Sequence, residues 1–152
     1  MAAYNKFQQF VADLAAANEN LGSDALKVML TNTAPSAADT AFDTLTGLKL
    51  ISTSNALDLV TGGGYTAGGA AVTVTSSTQS GGTYKLVANN VVFTATTGFG
   101  PFRYAVLYNN TKLTNATRPL ISWYDYGSAV TLLALETFTV AFDQTNGVLT
   151  IA

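Results

Sequence analysis

The sequence predicts an all-β fold, a jelly-roll-like β-sandwich with a short N-terminal α-helix, from three observations. Short apolar–polar alternations recur along the second half of the chain, broken by Gly, Asn and Pro at the spacing of sandwich or barrel strands. Threonine occurs 23 times in 152 residues. Its β-branched side chain suits the pleat, and its hydroxyl adds polarity without the desolvation cost of a charge. A helical period is found only near the N-terminus. With neither internal repeat nor linker, residues 1–152 form one expected domain, in which residues 1–20 are a helical segment packing on the domain or on a partner.

Phe7, Phe10, Val11 and Leu14 stand at i, i+3, i+4 and i+7, which places them on one face of a helix from Asn5, its N-cap, to Ala17. A helix this short is marginal alone, so its stripe must dock on its own domain or on a neighbouring subunit. After Gly22 the period becomes two. Leu26, Val28 and Leu30 alternate with Lys27, Met29 and Thr31 in a first strand, which ends at Asn32–Ser36. Residues 37–69 are weakly periodic, with Leu48–Ile51 and Ala56–Val60 as short candidate elements. Thr61–Gly69 is read as a flexible loop before the strand Ala71–Thr75. It is no phosphate cradle, because a P-loop needs Gly-Lys-Ser/Thr opening a helix and a strand follows here. Beyond the Ser/Thr/Gly stretch 76–82, strands are expected at Tyr84–Ala88, Val91–Thr96, Phe102–Tyr108, Leu120–Tyr126, Ala129–Leu133, Thr137–Phe142 and Val148–Ile151. Asn89-Asn90 and Asn146-Gly147 are hairpin-type turn signals. Phe138, Val140 and Phe142 share the buried face of their strand.

Composition narrows the chemistry. The chain contains neither histidine nor cysteine, so the usual zinc ligands, the usual general base and any disulfide are excluded, and no metal or cofactor is expected. Charged residues are 11% against 48% hydrophobic, which implies an apolar or hydroxyl-rich exterior suited to burial against other subunits. Net charge is −2, and Lys6, Lys27, Lys49, Lys85, Arg103, Lys112 and Arg118 are scattered, which argues against nucleic acid. No apolar run approaches the roughly 20 residues of a membrane helix, and Met1–Lys6 lacks the order of a signal peptide, so synthesis in the cytoplasm is expected.

Candidate sites are few. Trp123-Tyr124-Asp125-Tyr126 is the densest aromatic cluster, and it suggests either sugar stacking or core packing plus one aromatic interface. Alternation places Ile121 and Trp123 on one face and Leu120, Ser122, Tyr124 and Tyr126 on the other, which favours packing. Asp125 with Glu136 or Asp143 is the one carboxylate pairing that could be nominated for glycosidase chemistry, but these read as ordinary solvated loop positions. Serine nucleophiles have no histidine to activate them, and no catalytic residue or enzyme activity is expected. The sequons at Asn109 and Asn115 read as chance, and no EF-hand spacing occurs. Gly98-Phe99-Gly100-Pro101 predicts a tight bend before a strand, and Arg103 could pair with a carboxylate across an interface or inside the subunit. The expected interface residues are Phe7, Phe10, Arg103, Tyr124 and Tyr126.

The segments Tyr4–Phe7, Ala25–Pro35, Gly64–Gly69, Gly98–Asn109 and Pro119–Ser128 together resemble a family of small virion structural proteins of tailed bacteriophages, of the capsid cement or decoration type. The resemblance spans nearly the whole chain but contains no mechanistic motif. It implies a homo-oligomer, a trimer, that sits on the capsid exterior and bridges major capsid protein subunits. The N-terminal helix, or residues 37–69, would reach onto the capsid, and removal of residues 1–17 would leave a folded domain. Leu135 departs from the family pattern, which often has glycine before Glu-Thr-Phe. Two other assignments remain open, a tail-associated or fibre-like module that binds host glycan and a tail-tube or connector protein.

Overall fold

The computed structural model describes residues 4–39, 61–111 and 118–152, and the candidate elements Leu48–Ile51 and Ala56–Val60 lie outside them. Among the described residues the chain is all-β with one short helix. In order the elements are β1 (Tyr4–Lys6), α1 (Gln9–Ala15), β2 (Leu26–Thr31), β3 (Ala70–Ala71), β4 (Val74–Ser80), β5 (Thr83–Ala88), β6 (Val91–Thr94), β7 (Gly98–Asn109), β8 (Leu120–Leu133), β9 (Thr137–Val140) and β10 (Leu149–Ile151). A five-stranded antiparallel sheet has the order β1-β8-β7-β2-β3, a three-stranded sheet has β10-β5-β4, and β6 pairs with β9.

The three sheets meet in one core. Val28 and Leu30 of β2, Ala105 and Leu107 of β7 and Ile121 of β8 pack with Leu86, Phe93, Val140, Phe142 and Leu149. The opposite face of the large sheet is also covered, by a second cluster of Phe7, Met29, Val106, Tyr108 and Leu120 with Trp123 against it. Both faces of the central strands are therefore dry, which explains why β2 reads as a nearly continuous apolar run.

The N-terminus departs from its expected helix. Tyr4–Lys6 pairs with Ser122–Tyr124 of β8, so Asn5 is a strand residue, and Gln8 occupies the N-cap position without a side-chain cap. Phe7 and Phe10 flank the sheet edge and enter different clusters, with 0% and 2% of their surface exposed, while Val11 is 51% exposed. The helical period assigned these residues to one stripe because it could not register that the chain crosses the edge of a sheet between them. α1 ends in a Schellman motif: the amide of Asn18 donates to Asp13 O and that of Ala17 to Leu14 O, at 2.8 and 3.2 Å. Ala17 takes the left-handed conformation that this motif requires, with φ 55°.

Thr61–Gly69 is an ordered turn. Gly62 and Tyr65 exchange two backbone hydrogen bonds of 2.9 Å, and the Tyr65 ring packs on Phe93 and Phe99 while its hydroxyl accepts from the Leu30 amide at 3.1 Å. Glycine is needed at 63 and 69, because a Cβ there would overlap the carbonyl oxygens of Gly98 and Val28. The glycines read as mobility in the sequence instead allow backbones to approach closely.

The turn signals were also reassigned. Asn89-Asn90 connects β5 and β6, which belong to different sheets, and Asn146-Gly147 precedes β10, whose partner is β5. Neither closes a hairpin. The tight hairpin is β4–β5, where Ser80 faces Thr83 across Gly81-Gly82, both with positive φ as a type I′ turn demands. The hydroxyl-rich stretch from Ser76 is thus mostly strand.

Candidate functional site

β7 and β8 form the longest ribbon of the molecule, and two irregularities in it create the site. Leu107 pairs with Ser122 but Tyr108 with Leu120, so Ile121 is an extra residue in β8. That bulge inverts the expected alternation: Ile121 and Tyr124 face the main core, while Leu120 and Trp123 belong to the second cluster. Farther along, Tyr104 pairs with Asp125 and Phe102 with Val130, so Tyr126–Ala129 bulge out opposite Arg103 alone. The two strands expected at Leu120–Tyr126 and Ala129–Leu133 are one strand interrupted by this bulge.

The bend expected at Gly98–Pro101 is likewise part of β7. Gly100 has φ 131°, and a Cβ there would stand 2.8 Å from Val130 O, so glycine lets β8 pass close. That approach, together with the bulge, sets Arg103 beside Asp125. The pair is bidentate, Nε to Oδ1 at 2.7 Å and Nη2 to Oδ2 at 2.8 Å, and it lies within the subunit. Asp125 Oδ1 also accepts from the Gly127 amide at 2.7 Å.

Beside this pair lies an apolar groove of about 190 Å³ between the large sheet and β9, lined by Arg103, Ala105, Tyr124, Tyr126, Phe138 and Val140 among others. Tyr126 and Phe138 meet edge to face at 5.5 Å, and Phe138 packs on Phe102 at 4.8 Å. Tyr126 is 57% exposed; away from the groove, Leu133 at the end of β8 and Leu135 in the turn that follows are exposed at 68% and 84%.

The Arg103 guanidinium, then the Gly127 amide, hold the Asp125 carboxyl below the usual carboxylate range, while the hydrogen bond to Asp125 raises Arg103. Burial pushes the Tyr124 phenol up. At neutral pH the groove therefore presents a closed ion pair, a neutral Tyr124 phenol and apolar rings. No family model, curated protein or solved structure matches the chain.

Of the expected interface residues, Arg103, Tyr124 and Tyr126 come together in the groove. Phe7 and Phe10 do not, because their side chains are enclosed by the domain itself. Trp123 is half-buried and packs on Phe7 in a tilted arrangement, with ring centroids 4.6 Å apart. The carboxylates considered as an acid–base pairing each have a local partner: Asp125 holds Arg103, Glu136 accepts from the Leu133 amide at 2.7 Å, and Asp143 accepts from the Thr145 and Asn146 amides. Phe138, Thr139 and Ala141 line the groove, although the sequence marked Phe138 only as buried in its strand and none of the three as a site residue. Their alternation showed which face of β9 is buried, but not that it lies across from Tyr126. A buried polar cluster was also missed, in which Asn109 Nδ2 donates to Glu19 and Asp24 at 2.7 and 2.6 Å.

Proposed function

We propose that this chain is a virion structural protein of a tailed bacteriophage, a capsid cement or decoration protein that binds and stabilises the major capsid protein lattice from the capsid exterior as a homotrimer. The observation that best supports this reading is the apolar groove beside the Arg103–Asp125 pair, with Tyr126 largely exposed on its wall; Leu133 and Leu135 add exposed apolar side chains where β8 turns toward β9. Exposed aromatic and leucine side chains on a charge-poor surface are suited to burial against a repeating partner. The sequence resemblance to phage cement proteins points the same way. A protein that binds only the assembled shell stabilises it by mass action, and weak contacts suffice when a trimer links several of them.

The capsid-contacting segment is assigned to the groove side and not to the N-terminus. β1 pairs with β8, and Phe7 and Phe10 fill both clusters, so removal of residues 1–17 is expected to unfold the domain rather than release a capsid arm. The test is electron microscopy of heads assembled with the wild-type chain and with Tyr126→Ser. Full wild-type occupancy and loss of density with the variant support the reading; equal occupancy sinks it. A host-glycan-binding module is the second reading, favoured by exposed Tyr126 next to the Arg103–Asp125 pair. Glycan binding abolished by Tyr126→Ser, at a few copies per particle, would select it, while ring formation at tail stoichiometry would select a tail-tube or connector role.

A further inference from the structure

Asn146-Gly147 is a chemically fragile dipeptide that this fold cannot discard. With no side chain to shield it, the Gly147 nitrogen can attack Cγ of Asn146. The N–Cγ bond forms, the Cγ–Nδ2 bond breaks, and the Gly147 amide proton leaves with the departing nitrogen as ammonia. Water then opens the resulting succinimide at either carbonyl, which leaves an aspartate or isoaspartate in place of the amide. Asn146 is exposed to that water. Exchange of Gly147 is blocked, since its φ is 92° and a Cβ would stand 2.6 Å from Leu86 O and 2.9 Å from Lys85 Cγ.

Every group in this reaction is tied to a single residue. Asp143 Oδ2 accepts from Asn146 Nδ2 at 2.8 Å, which pins the amide that would have to rotate and leave. Asp143 Oδ1 accepts from the Asn146 amide at 2.7 Å and the Thr145 amide at 2.8 Å. The attacking nitrogen, that of Gly147, donates to the Asp143 carbonyl oxygen at 2.9 Å. These bonds also hold the Asp143 carboxyl below its ordinary range, first through the Asn146 amide, so it stays an acceptor at neutral pH.

We propose that Asn146 is a latent spontaneous deamidation site guarded by Asp143, and that its conversion releases β10. The product places a carboxylate where the amide donated to Asp143 Oδ2, so an attraction becomes a repulsion between like charges. Directly downstream, Val148 donates to Leu86 O at 2.7 Å and Leu149–Ile151 pairs with Tyr84–Leu86. Lys85 Nζ reaches Thr145 O at 3.1 Å, and it is the one cation the geometry sets over this turn among the described residues. The ladder that closes the three-stranded sheet thus begins two residues past the modified one, at Val148.

The test incubates the full chain at mildly alkaline pH and follows residue 146 by peptide mass spectrometry with isoaspartate detection. Folded wild type is expected to deamidate at least about tenfold more slowly than the same chain in denaturant, the effect of roughly 1.4 kcal/mol of hydrogen bonding. Asp143→Ala should move the folded rate toward the denatured one. Asp143→Asn keeps a carbonyl oxygen for the backbone donors but loses the charged acceptor, so its rate should fall between, and it serves if the alanine variant does not fold. Equal rates for folded and denatured wild type, or a folded Asp143 variant that reacts no faster than wild type, overturn the guard. For the second half, Asn146→Asp should speed hydrogen exchange at Leu149 and Ile151, and wild-type protection there overturns the release of β10.

Discussion

Along β8 the same strand does two opposite things. Leu120–Tyr124 lies between two apolar clusters, paired with β1 on one side and β7 on the other, with Phe7 and Trp123 closing its outer face. Tyr126–Leu133 begins with a bulge and runs out to exposed Tyr126 and Leu133. Both halves contain aromatic and aliphatic residues, so composition does not separate them. What separates them is whether another element covers the ribbon. The closed half is covered on both faces; the open half packs Val130 and Leu132 on the main core but leaves Tyr126 and Leu133 exposed, and the Arg103–Asp125 pair stands at the junction.

That contrast can be broken most directly at Phe7. Phe7→Ala should cost about 3–5 kcal/mol in urea or thermal unfolding, because a wholly enclosed ring is removed from a cluster that cannot collapse around it. A loss below 1 kcal/mol, about that of a surface change, would mean the closed half is not closed.

The junction is tested by pH. Because the folded-state pKa of Asp125 is depressed, its stabilising contribution is fully present above the unfolded value of about 3.9 and is lost as pH falls through the folded value. Wild-type unfolding midpoints should therefore drop below about pH 4, and the drop should be shallower in Asp125→Asn, with Asp143 contributing to the slope that remains. The pair faces solvent, so added salt should shrink the difference. Identical pH profiles would detach the pair from the stability of the ribbon.

Leu135 sharpens the open half. Its φ is 70°, a left-handed conformation that disfavours a branched side chain, and 84% of its surface is exposed. Leu135→Gly should therefore raise stability by about 0.5–1 kcal/mol, the relief of the left-handed strain less the added freedom of the unfolded chain. A stability loss would show that Leu135 makes a contact that the fold needs. The smallest effect belongs to Tyr126→Ser, expected within about 0.5 kcal/mol of wild type in unfolding even if the proposed lattice binding is lost. A large destabilisation there would make Tyr126 part of the core and end the contrast.

The strand content was legible because single-faced burial leaves period-two alternation in β6 and β9, while double-sided burial leaves apolar runs in β2 and the second half of β7. Pairing was not legible. Nothing in Asn89-Asn90 or Asn146-Gly147 says that the strands flanking each turn belong to different sheets. The bulge at Ile121 reverses the faces of every residue after it, so alternation read from Leu120 misplaces Trp123 and Tyr124, although it correctly identifies them as aromatic packing positions. At the N-terminus, Phe7 and Phe10 read as an apolar stripe to be covered by the domain or by a neighbour and were expected at an interface, but a helical period cannot encode a path around the edge of a sheet that encloses both. For the groove, Arg103, Tyr124 and Tyr126 were found from local density of unusual residue types, while Phe138 is distant in sequence and joins them only through the fold.

β7 and β8, of 12 and 14 residues, run side by side for up to roughly 40 Å. Their interstrand hydrogen bonds stand perpendicular to the strands, so tension between the two ends of the ribbon would shear many bonds together instead of unzipping them singly. A partner that pulled on the exposed tip at Leu133 would be resisted by the whole length of the ladder, as far as the edge where Tyr4–Lys6 is stitched alongside.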